Sequence, residues 1–219
     1  MNNKVFETIS KHEREAYSGL QLNRVYHLTS LYLRLIGTDV SPELVGAWLH
    51  DEYVDGMCMS KAFGMSRVSE RIVKEADTQY AQVCVGYLGE IYSELCNGYY
   101  ITDYMGKILH PHTEKEVAQL IRDAKYGANT IEQQAARIFA VVTWLKSLGD
   151  HGVLSAALMC DFHLLINGVG SFAPSPADSA YISNEIKILQ QSEVFDFGSM
   201  PVQNIVATID SYCITKVQQ

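Results

Sequence analysis

A hydrophobic period of three to four residues, returning along almost the whole chain, most constrains what this sequence can fold into. Leu22, Val25, Tyr26, Thr29, Leu33 and Ile36 keep that spacing until Gly37. Val68, Ile72, Val73 and Ala76 take it up after Gly64, and Ile131, Ala135, Ile138, Phe139, Val142 and Leu145 carry it to Gly149. An apolar segment from Val153 to Ile166 follows. This period gathers apolar side chains on one face of an α-helix, and two-residue alternation is short and scattered. The expectation is an all-α fold.

Turn chemistry divides the helices. Cys96-Asn97-Gly98 interrupts one of them. His110-Pro111-His112 leads into another, where Thr113 and Glu116 have the spacing of a capping box. The stretch 167–176, rich in Gly, Pro and Ser, reads as the clearest loop. With 219 residues, 47% of them hydrophobic, the chain can bury one sizeable core and nothing demands a second. We expect a single domain over 1–219, its core within 12–150 and a C-terminal helical extension over 151–219.

Charge and cysteine usage narrow the function classes. A formal net charge of -8 opposes broad binding to nucleic acid or an anionic membrane, both of which need clustered Lys and Arg. The cysteines at 58, 84, 96, 160 and 213 lack zinc-type spacing and read as separate reduced thiols. The first residues carry no apolar signal core, and no apolar run reaches membrane-spanning length. The expectation is a cytoplasmic protein without a membrane partner, and a homo-oligomer is compatible with it.

Chemistry concentrates around Leu49-His50-Asp51. The dipeptide alone carries little information, but it closes an apolar helix begun by Ser41 as cap and Pro42 in the first turn. A polar pair at the end of a mostly buried helix is unfavourable unless something satisfies it. His27, one helix earlier, completes a mixed nitrogen and oxygen donor set of His27, His50 and Asp51. Such a set suits Mn²⁺, with Mg²⁺, Fe²⁺ or Co²⁺ as alternatives, better than a thiol-rich zinc site. Glu52 and Asp55 follow closely enough to orient an attacking water or take its proton. Against this, a single histidine on an amphipathic helix is ordinarily a half-buried structural one.

These residues resemble the HD-domain metal-dependent phosphohydrolases, in particular the RelA/SpoT-type alarmone hydrolases. The likeness runs through Ala16-Tyr17-Ser18-Gly19, Arg24-Val25-Tyr26-His27, Ala47-Trp48-Leu49-His50-Asp51 and Lys61-Ala62-Phe63-Gly64 with Val68, covering about residues 12–78. It implies an HD-like helical bundle that cleaves a phosphate ester or pyrophosphate of a nucleotide, with a (p)ppGpp-like alarmone as one candidate. Arg24, Lys61, Lys125 and Asn129 are then candidates for holding the substrate.

Two positions depart from the family pattern. Val54 stands where alarmone hydrolases carry glutamate, while Asp55 is retained. The late ligand aspartate falls on Ala128 in one alignment and on Lys125 in another, so neither supplies a carboxylate. Asp123 would fill the role in a shifted helix register. An HD-fold nucleotide-binding or protein-interaction module with impaired catalysis is therefore the second expectation. A di-iron oxygenase, which needs further ligands, is the third. His110 and His112 precede a helix at two-residue spacing and read as a solvent-facing turn.

Overall fold

The structure is a computed structural model and describes residues 25–49, 59–76, 82–96 and 109–216. Helix α1 runs through 25–35, and Gly37 ends its C-terminal turn at a φ of 79°, a conformation costly for any residue with a Cβ. Helices α2 (Pro42–Leu49), α3 (Met59–Ala76) and α4 (Val85–Leu95) follow. Next come α5 (Glu114–Tyr126), α6 (Ile131–Trp144), a short 3-10 turn and α7 (Gly149–Ile166). Strand β1 (Gly170–Phe172), α8 (Pro176–Leu189), α9 (Met200–Tyr212) and β2 (Ile214–Lys216) complete the chain. Among the described residues the fold is all-α apart from one antiparallel strand pair, with Ser171 opposite Thr215.

The centre is α7. Every residue from Gly152 to Leu164 is buried, so this helix presents no solvent face. It lies against α3, α4, α6 and β1. A helix that is apolar all round belongs inside a protein, and α7 occupies that place. Two of its buried polar side chains find partners: Asp161 accepts from the Phe172 backbone N–H at 3.1 Å, and His163 Nε2 meets Gln134 Oε1 at 3.0 Å.

The strand pair lies within what the sequence presents as loop and C-terminal extension. Three residues are too few to display alternation, so neither strand is visible by pattern. Its role is to tie distant segments together. Phe172 stacks on Tyr32 of α1 with ring centroids 5.6 Å apart, and the Tyr32 hydroxyl donates to the Phe172 carbonyl at 3.0 Å. Helices α8 and α9 pack on α6 and on each other, so the C-terminal part shares the core with the rest.

Caps fix several helix starts. The Thr113–Glu116 capping box forms as the sequence indicates, and Ser175–Asp178 makes a second one at α8. Among the described residues no helix is long and apolar enough to cross a membrane.

Candidate functional site

The N-terminal half of the candidate site is built by α1 and α2. Helix α1 buries Val25, Leu28, Thr29 and Ser30, which leaves Tyr26 half-buried and His27 exposed. Tyr26 lies against α2 where Gly46 leaves room: a Cβ there would stand 3.2 Å from the tyrosine ring. Ser41 begins α2, its hydroxyl accepting from the Leu44 backbone N–H at 3.2 Å. The same hydroxyl is the main reason the Glu43 carboxyl titrates below its usual range, with the nearby His27 adding to the effect. The exposed imidazole therefore shares an edge with an acidic side chain from the first turn of α2. Arg24, His50, Asp51, Glu52 and Asp55 lie outside the described residues.

Lys61, on α3, is turned toward α7, where its ammonium meets the Asp150 carboxylate at 2.7 Å. This ion pair is partly solvated and joins two helices of the core.

The other proposed residues gather where α5 turns into α6. Asp123 is exposed, and its carboxylate accepts from Gln119 Nε2 at 2.7 Å. Lys125 is half-buried and donates to the Val83 carbonyl ahead of α4; burial lowers its pKa, while the neighbouring Cys84 acts in the opposite sense. The Asn129 backbone N–H donates to Gln133 Oε1. Ala128 lines an open cavity of about 390 Å³ together with Gly127, Gln133, Arg137 and Phe197. There the Arg137 guanidinium lies 4.0 Å from the centre of the Phe197 ring and donates to the Gly127 carbonyl. Position 128 thus neighbours a cation.

Among the described residues, no three His, Cys, Asp or Glu side chains are grouped to hold a metal ion. His27 is the one proposed ligand besides Asp123 within that set. The structure brings His27 together with Glu43, and it brings Asp123 and Arg137 within electrostatic reach of each other.

Two groups of residues carry a signal that the sequence does not display. His163 is buried without a charge partner, and burial, aided by Lys125, pushes its pKa down to about 4. His112, in contrast with the solvent-facing turn expected for it, is half-buried and lies on Trp144 with ring centroids 4.3 Å apart. The spacing of His110 and His112 cannot reveal that stacking, because Trp144 comes from another helix. Comparisons with family models, with curated proteins and with solved structures find no match to this chain.

Proposed function

We propose that the protein is a metal-dependent phosphohydrolase of HD type acting on a nucleotide phosphate or pyrophosphate. The observation that carries this reading is His27. It is exposed on a helix whose next three residues, Leu28, Thr29 and Ser30, are buried, beside α2, the helix whose last residue, Leu49, directly precedes His50-Asp51. A structural histidine on an amphipathic helix ordinarily has its ring half covered; this one is exposed, beside the Glu43 carboxyl.

The donor chemistry fits a divalent ion: two imidazoles and a carboxylate from His27, His50 and Asp51, in a chain whose charge of -8 compensates a cation. His27, His50 and Asp51 would hold such an ion, which would supply Lewis acidity when bound. Asp55 or Glu52 takes the proton of the attacking water, and Arg24 neutralises phosphate charge. Asp123 remains the candidate for an additional carboxylate ligand.

A second reading rests on a separate observation. The side chains of Lys61, Asp123 and Lys125 are engaged within the fold, through Asp150, Gln119 and Val83. That pattern favours an HD-type binding module in which the catalytic set is incomplete.

One experiment separates the two. Purified protein is assayed for metal content and for hydrolysis of nucleotides and alarmones with Mn²⁺, Mg²⁺ or chelator. The enzyme reading expects chelator-sensitive turnover that falls about a hundredfold or more in His27→Ala and in His50→Ala. Chelator-insensitive turnover, or full activity in His27→Ala, overturns it. Nucleotide binding without turnover supports the module. Ala128→Asp is expected to raise metal affinity and turnover together, and no gain in either rejects position 128 as the place of the missing ligand.

A further inference from the structure

The entrance to α5, the end of α6 and the segment 192–195 border an open hollow of about 370 Å³. Its walls are aromatic and aliphatic. His112 and Trp144 lie with ring centroids 4.3 Å apart, and Phe195 meets Trp144 at 5.5 Å. Leu120 and Val194 add aliphatic surface, and Val194 stays 74% exposed at the mouth. Phe195 is braced edge-on by Phe197 at 4.8 Å.

These rings are held in place before any ligand arrives. Trp144 Nε1 donates to the Ser192 carbonyl at 3.1 Å, and Gln190 Nε2 donates to the Thr143 carbonyl at 2.8 Å. Together they fasten the 190–195 segment to the end of α6. Preformed walls lower the ordering cost of binding.

Charge selects the ligand. Two carboxylates, Glu116 and Glu193, line the cavity with Gln119, and neither Lys nor Arg does. Lys146 lines an adjoining hollow that shares His112, Trp144 and Glu193 with this one. Glu116 is oriented by the capping box, in which its Oε2 accepts from both the backbone and the hydroxyl of Thr113. Aromatic faces present negative quadrupole, and the two carboxylates add a negative field. A cation of diffuse charge and methyl surface gains from both features.

We propose that this cavity binds a small organic cation with a quaternary or alkylated ammonium head. The head lies against Trp144 and Phe195 while Glu116 and Glu193 supply long-range attraction. The volume suits a compact ligand.

The test uses choline and its neutral isostere, 3,3-dimethylbutan-1-ol, titrated calorimetrically into the full-length protein at pH 8, where an ordinary imidazole is uncharged. Choline is expected to bind about tenfold tighter than the isostere. Glu193→Gln, at an exposed position, weakens choline several-fold and leaves the isostere unaffected. Phe195→Leu keeps the apolar surface, removes the ring and weakens choline more than the isostere. Thermal melts confirm that both variants fold. Equal affinity for the two probes overturns the proposal in favour of a simple apolar hollow, and no choline binding up to about 20 mM overturns it outright.

Discussion

His163 shows how a single side chain links core packing to solution behaviour. It is 5% exposed, its Nε2 meets Gln134, and its Nδ1 has no hydrogen-bond partner among the described residues. Protonation would place a charge in the core near Lys125, so the folded ring holds its proton only below about 4, against 6.5 for an ordinary histidine. The unfolded chain therefore binds more protons between those values. Stability from the neutral ring is present in full above about pH 6.5 and is lost as the pH falls toward about 4, by on the order of 2–3 kcal/mol. Urea midpoints across this window should drop steeply in the native protein and less in His163→Gln; parallel curves would refute the assignment. Nothing in the sequence around residue 163 discloses this, because the partners, Gln134 and Lys125, come from other helices. His27 is the opposite case: its place before an apolar helix that ends at His50-Asp51 is visible in the chain itself, and its exposure agrees with a role outside the core.

Between neighbouring elements, close approach rather than propensity decides. Gly64 sits mid-helix in α3, where glycine costs about 1 kcal/mol relative to alanine. It is tolerated because α3 meets the end of α4 there: a Cβ would stand 3.0 Å from Leu95 Cα and 3.2 Å from the Leu95 carbonyl oxygen. Backbone atoms cannot move aside as a side chain can. Arg71, two turns further along the same side of α3, clamps this pair of helices through Glu94 at 2.8 Å and Glu90 at 4.0 Å. Gly64→Ala should therefore destabilise by about 1–2 kcal/mol despite its better helix propensity, as overpacking does. Urea unfolding measures it, and a gain in stability would show that the two backbones are not held this tightly. Helix positions were legible in the three-to-four-residue period, and the Thr113–Glu116 box in its spacing. The strands were not, because three residues of β1 find their partner only after two further helices.

For the molecule as a whole, the buried α7 and the C-terminal helices form one unit. Phe172 lies on both Tyr32 and Phe139, while α8 and α9 cover α6. A chain ending at Ile166 would strip these aromatic and aliphatic surfaces of their cover. It should lose its sharp thermal transition and bind hydrophobic dyes, whereas a retained cooperative melt would make 167–219 a dispensable appendage. The expectation of a C-terminal extension captured the helical character of this part, but periodicity records which face is apolar and not what lies against it. The Tyr32–Phe172 contact spans 140 residues of sequence. At ordinary translation speeds about 7 to 30 s separate the emergence of the two residues from the ribosome. During that interval the buried face of α1 has no strand to close over it.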